Sequence, residues 1–321
     1  MIHLIKLLYP SVVLAIMTIL FSVESRAEKR IGIFTFTEET RYSDNQKGII
    51  DQLKKDGFEA PAVKFTIENA KGSKARAAEI AQAFASSKMD LIFTIGTSAT
   101  IPIAMKIKDK PVVFSAVYDP VESGIAADWK SSGNNTTGTS TRIPMSDIMR
   151  VTKQFLPVKR LAVIYTPGEK NSEAQLKEIQ GLQANSQIRV IPIILTNKEE
   201  AVQILSEVVN NIEAIYLTGS SVVGGLAPTV INMANKAQVV TITHLDDIVD
   251  KGALLGMCIN SYHAGSLSGK LAVKILKGAK PSNIPIEPAK NFDIILNMKT
   301  ARAGKFQIPP KFLKTVTRTI E

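Results

Sequence analysis

Continuous apolar runs recur along the chain, each followed by a polar loop and then a stretch with helical spacing. Leu91 to Ile95 is such a run, interrupted only by Thr94, as a strand buried on both faces of a parallel sheet requires. Gly96-Thr97-Ser98 turns it into an alanine-containing helix. Pro111 opens the next run, Val112 to Val117, which ends in Tyr118-Asp119-Pro120. Two loops therefore fall on one edge of one sheet, the edge where open parallel sheets bind ligands. Further strands are predicted at residues 31–37, 62–67, 161–165, 190–195 and 293–296. Helices are predicted at about 46–55, 75–86, 144–155, 199–210 and 261–276, with 38–45 read as a loop.

The same pattern returns in the second half. Glu213-AIYLTGSS lines up with Asp90-LIFTIGTS, so Gly219-Ser220-Ser221 falls on Gly96-Thr97-Ser98. Lys29-Arg30-IGIFT likewise resembles Lys159-Arg160-LAVIYT, and a strand at 239–243 runs into His244-Leu245-Asp246-Asp247. Two similar βαβ halves with ligand-facing loops predict an α/β molecule of two lobes around a cleft.

The first 27 residues differ in kind. Lys6 precedes an apolar stretch, 7–23, and Ser25-Arg26-Ala27 offers small residues where a signal peptidase reads, so a secretory signal cleaved near Ala27 is expected. An uncleaved anchor is the rival reading, against which Pro10 interrupts the run. No cysteine follows it, so a soluble periplasmic protein is expected rather than a lipid-tethered one.

Composition narrows the classes further. The chain has 321 residues, 45% hydrophobic and 21% charged, enough for two folded domains. Cys258 is the only cysteine and reads as a small core residue. The net charge of +10 is spread without basic runs interleaved with aromatics, which together with secretion excludes nucleic acid as a partner. It reads as a solvated surface whose field draws anionic solutes.

Candidate chemistry lies in the loops. Thr97 and Ser98 suit a carboxylate or serve only as helix caps, and Asp119 suits an ammonium or serves only its own turn. Asn171 and Ser172 carry the same two readings, while Phe36 and Tyr118 suit stacking on a solute or core packing. Ser220, Ser221 and His244 occupy the corresponding loops of the second half. No G-x-S-x-G, H-E-x-x-H, Walker A or G-x-G-x-x-G pattern occurs. Two histidines remain after the signal, His244 and His263, too few for a metal cluster. No enzyme activity, metal or cofactor is expected; a triad of Ser220, His244 and Asp119 is the weaker alternative, since nothing positions its nucleophile on a strained elbow.

Taken in order, DLIFTIGTSAT, PVVFSAVYDPV, AVIYTPGEKNS, AIYLTGSS, the Lys251-Gly252-Ala253 segment, the Tyr262-x-x-Gly265 helix start and LKGAKPSNIPIE resemble the substrate-binding components of ABC importers. The tryptophan- and tyrosine-type receptors are the subgroup most similar. The resemblance implies a type I periplasmic-binding-protein architecture: two Rossmann-like lobes with parallel sheets, hinged by about three crossovers. It implies lobes of 28–143 plus about 262–290, and 144–261 plus about 291–321. It further implies a monomer that binds a small polar or amino-acid-like solute and presents it to an ABC permease with its ATPase subunit. Docking on a signalling receptor is the alternative role. Departures bear on the ligand: Thr166, Gly219-Ser220 and Asn260 stand where relatives often carry Asn, Asp and Asp. With Asn260 included among the candidate contacts, the cleft has lost acids that a desolvated ammonium needs.

Overall fold

The computed structural model describes residues 28–288 and 290–321; the expected secretory signal lies outside the described residues. The first sheet and its helices are built from β1 (Lys29–Thr35), α1 (Thr40–Lys55), β2 (Val63–Asn69), α2 (Lys74–Ser86), β3 (Leu91–Ile95), α3 (Thr97–Lys106), β4 (Val112–Val117) and β5 (Thr136–Ser140). The second takes α4 (Met145–Phe155), β6 (Arg160–Tyr165), α5 (Lys170–Gly181), α6 (Gln183–Ser186), β7 (Arg189–Ile194), α7 (Lys198–Val208), β8 (Ala214–Leu217), α8 (Ser221–Lys236), β9 (Val240–Thr243), α9 (Asp246–Asp250) and β10 (Leu255–Cys258). The chain then returns to the first sheet with α10 (Ser261–Leu276) and β11 (Glu287–Pro288). It ends in the second with β12 (Asp293–Asn297), α11 (Met298–Ala303), α12 (Pro310–Leu313) and β13 (Arg318–Ile320).

Strand order is β11-β5-β4-β3-β1-β2 in one sheet and β13-β12-β10-β9-β8-β6-β7 in the other. Both halves thus share one winding, in which the order reverses between the first and third strands and leaves a crevice at the carboxyl ends. Pairing is parallel except between β10 and β12. Central strands are buried along their whole length, as with β3 and β8, because helices cover both faces. The chain passes between the sheets after β5, after β10 and after β11.

One expectation is corrected here. Residues 38–45 read as a polar loop, yet α1 already starts at Thr40. Arg41 and Asn45 are buried polar residues on this added turn; Arg41 faces Asp247 of the other half and Asn45 the start of α10, instead of the apolar core. A periodicity search for apolar positions cannot see such a face.

Helix α10 seats itself on α1 through glycines. A Cβ on Gly48 would run into the Tyr262 carbonyl, and one on Gly265 into the Asn45 carbonyl. Backbone cannot yield as a side chain end can, so Gly265→Ala is expected to cost about 1–3 kcal/mol by overpacking. A urea melt with an unchanged midpoint would show that the two helices do not meet this closely.

Candidate functional site

The carboxyl ends of the two sheets face each other across a partly open chamber of about 40 Å³. The first half supplies Arg41 and Tyr42 from α1, Thr97 at the start of α3, Ala116 and Tyr118 at the end of β4, and Thr141 after β5. The second supplies Asn171 and Gln175 from adjacent turns of α5, Gly219 after β8, Leu245 with His244 and Asp246 after β9, and Ile259 with Ser261 after β10. Equivalent strand-end loops of the repeat therefore form opposite walls.

Apart from Arg41 Nη2, which is in an ion pair with Glu39, three buried polar atoms on these walls have no hydrogen-bond partner among the described residues: Thr97 Oγ1, Asn171 Oδ1 and Gln175 Nε2. Their orientation is settled by what their other ends do. Asn171 Nδ2 donates to the Gly219 carbonyl at 2.5 Å, and Gln175 Oε1 accepts from Gly219 N at 3.1 Å. One backbone residue thus locks both amides and turns their free ends to the chamber. An orphaned buried polar group costs about 1–3 kcal/mol, so three around one cavity mark a place built for another molecule's polar atoms.

The two repeated helix starts differ in a telling way. In the second half, Ser220 caps α8 through Val222 N and Val223 N, and the Glu169 carboxylate accepts from Ser221 N at 2.9 Å and Ser221 Oγ at 2.7 Å. That terminus is already met by the chain's own anion. In the first half, Gly96 precedes α3 with φ +89° and offers no side-chain cap. The first-turn amides of α3 therefore keep their partial positive charge for an external anion.

Charge in the site is concentrated and paired. Arg41, only 5% exposed, holds both oxygens of Asp247 from Nη1 at 2.9 and 3.0 Å and also pairs with Glu39. Lys251 lies 3.6 Å from the same Asp247, so alternating charges from both halves meet at one lip. Burial works against the Arg41 charge, but Tyr42 and Asp247 outweigh it and hold its pKa above the ordinary value. At the other lip the Tyr118 hydroxyl donates to Glu178 at 2.9 Å, and Lys177 pairs with Glu122 at 2.6 Å. Burial, then the charge of Asp247, raises the Asp246 carboxyl, which accepts from Ser261 Oγ at 3.0 Å. Burial and the nearby Arg41 charge press His244 down to about 3, so its ring is neutral. That ring shares a 2.8 Å hydrogen bond with the Tyr216 hydroxyl and meets the Tyr118 ring edge-on at 5.6 Å.

Of the residues expected from sequence, Thr97, Tyr118, Asn171 and His244 line this chamber. Phe36, Ser98 and Ser221 line a neighbouring groove of about 460 Å³, also walled by both halves. The remaining four do other work. Asp119 caps its own turn, accepting from Val121 N and Glu122 N at 3.0 Å, with Arg142 at 3.5 Å. Ser172 bonds Thr166 N and Thr218 Oγ1 inside the second half, Ser220 caps α8, and Asn260 caps α10 through His263 N. Lining residues that the sequence reading did not name as contacts include Arg41, Tyr42, Gln175 and Asp246. Gln175 follows Asn171 by one helical turn and Asp246 follows His244 in the repeated loop, so position could have found both. Arg41 and Tyr42 carry no such signal. Among the described residues no group of His, Cys, Asp and Glu is arranged to hold a metal ion.

Comparison with known proteins agrees with this geometry. A protein named tyrosine-binding protein from Clostridioides difficile (strain R20291) is 28% identical over 286 residues, 88% of this chain and 83% of that one. The structure of an ABC domain in complex with L-Trp from Streptococcus pneumonia superposes with a TM-score of 0.87 at 25% identity, covering 92% of this chain and all of that one. The ligand-free, open structure of a substrate binding protein with adhesive properties from Clostridium difficile gives 0.72 at 28% identity, over 91% and 100%. Superposition is thus better on the complex although identity is lower, in keeping with two halves that meet around the chamber. The architecture is that of the type I periplasmic binding proteins. The family model for ABC transporter substrate binding protein matches residues 30–320, and the chain belongs to that family.

Proposed function

We propose that this chain is the extracytoplasmic solute receptor of an ABC importer. It captures a small polar or amino-acid-like molecule between its halves and hands it to a permease powered by an ATPase subunit. The observation that carries this reading is the set of orphaned atoms Thr97 Oγ1, Asn171 Oδ1 and Gln175 Nε2 around the chamber. A solute carboxylate fits the uncapped start of α3 with the Thr97 hydroxyl and Gln175 amide, and a solute ammonium fits Asn171 Oδ1 and the Asp246 carboxylate. The names of the relatives, tyrosine-binding protein and tryptophan complex, support the amino-acid class. The lobes in this reading are 28–143 with about 262–290, and 144–261 with about 291–321. Secretion to the periplasm with cleavage near Ala27 and action as a monomer complete it. Because contacts come from both walls, the solute favours the closed form by its differential affinity for it.

Mass spectrometry of small molecules released from the purified protein tests the reading, with calorimetry on Thr97→Val. Valine keeps the shape of threonine and removes a hydroxyl that has no internal partner. Affinity is expected to fall by about 1–3 kcal/mol while the unfolding midpoint stays or rises. Equal affinity in the variant would place the solute elsewhere.

A further inference from the structure

We propose that Tyr216 is a positioning residue for the chamber: its hydroxyl donates to His244 Nδ1 and so holds the ring as the Nε2–H tautomer, which turns a hydrogen-bond donor toward the solute. This deepens the reading of the chamber as the solute site and rests on it. The fold itself does not ask for that hydroxyl. β8 is buried along its whole length, and Tyr216 is fully buried in the second half's core. The internal repeat supplies the control. With Glu213 aligned on Asp90, Tyr216 falls on Phe93, which is equally buried in the first half's core and carries no hydroxyl. Strand register extends the match: Phe93 pairs with Val113 and Tyr216 with Ile242, and two residues further along those neighbouring strands stand Ser115 and His244. Ser115 bonds Thr139 at 3.3 Å inside its own half. The phenol appears in the half where an imidazole stands at that place, and the two meet at 2.8 Å.

Which atom donates follows from the remaining partners. Burial and the Arg41 charge keep the ring neutral, so its two nitrogens share one proton. The other acceptor within reach of the Tyr216 hydroxyl is Gln175 Oε1, at 3.5 Å, an oxygen already taking Gly219 N at 3.1 Å. A phenol is the better donor and an unprotonated imidazole nitrogen at 2.8 Å the better acceptor, so Nδ1 accepts and the ring proton sits on Nε2. Nε2 bonds nothing within the described residues, and His244 lines the chamber. Its N–H adds a third donor to Thr97 Oγ1 and Gln175 Nε2 on the chamber walls, suited to a carbonyl or carboxylate oxygen.

Long-range proton–nitrogen NMR of the imidazole rings, on isotope-labelled protein at mildly alkaline pH, reads the tautomer with no solute present. His263, exposed, is the other histidine of the described residues and supplies the pattern of an unconstrained ring. His244 is expected to show Nδ1 as a bare, pyridine-like nitrogen and Nε2 as a protonated, pyrrole-like one. In Tyr216→Phe the minor tautomer should rise about tenfold, the effect of one buried hydrogen bond, and the pattern should move toward that of His263. An Nδ1–H pattern in the wild type, or one pattern shared by both proteins, would overturn the proposal. The wild-type spectrum decides the tautomer even where the variant does not fold. Calorimetry with L-tyrosine as the probe should find binding about three- to tenfold weaker in Tyr216→Phe, and equal affinity would overturn the positioning role. Absence of binding by the wild type would fall on the amino-acid reading alone, and the nitrogen pattern would still support or overturn the role of Tyr216.

Discussion

Arg41→Ala is expected to leave the two halves apart and to weaken solute capture about 100-fold. In the closed molecule Arg41 is the cation shared by Glu39 and Asp247, both nearly excluded from water. Removing one partner of a buried pair typically costs about 3–5 kcal/mol, because a charge is left desolvated without its counterpart. Lys251, at 3.6 Å, still compensates part of Asp247, so the lower end applies, about 3 kcal/mol. In the open form both carboxylates reach water and nothing is lost. The penalty therefore falls on closure alone, and at about 1.4 kcal/mol per tenfold it gives the stated loss. Small-angle scattering should show a larger radius for the unliganded variant. Arg41→Lys should be intermediate, since an ammonium cannot hold two oxygens of Asp247 in the guanidinium geometry. A variant as compact as the wild type, with equal affinity, would show that this contact does not govern closure.

Acid should destabilise the protein through His244, by about 3 kcal/mol between pH 7 and pH 4. Burial, with Arg41 adding to it, lowers the pKa in the folded molecule to about 3 against 6.5 for a free imidazole. The group is neutral in both states above about 6.5 and contributes nothing there. As pH falls through 6.5 the unfolded chain takes a proton that the folded one refuses, so stability declines until the folded pKa is reached. The gap of about 3.5 is worth roughly 5 kcal/mol in full, of which about 3 is spent by pH 4. His244→Gln removes the titration, so urea unfolding of the variant should lose about 3 kcal/mol less over that range than the wild type. Asp246, whose carboxyl burial and Asp247 raise, has the opposite dependence and is common to both proteins. Parallel pH profiles for the two proteins would show that His244 is hydrated in the folded state.

The proposed solute contacts and the pH response converge on one wall, the loop His244-Leu245-Asp246. The apolar runs at 91–95, 112–117, 161–165 and 214–217 already determined a doubly wound α/β chain, because a strand buried on both faces must be largely apolar. The internal repeat determined that there are two such units. It also brought Gly96-Thr97-Ser98 and Gly219-Ser220-Ser221 to matching strand ends, where Thr97 and Gly219 line the chamber. Only the tertiary structure decided which of these matched loops stays open. Glu169 fills one by reaching Ser221 from a segment remote in sequence, and no spacing rule registers that distance. It likewise decided that Asp119 spends its carboxylate on its own turn, while Asn171 and Gln175 are locked by Gly219 with their free ends inward. Arg41 is the extreme case: local sequence sees a polar residue in a loop, and only contact with Asp247 of the other half makes it a buried helical wall. Hydrophobic periodicity reports each lobe's own core, whereas a cleft is a polar surface buried by a second lobe, and its pattern belongs to neither alone.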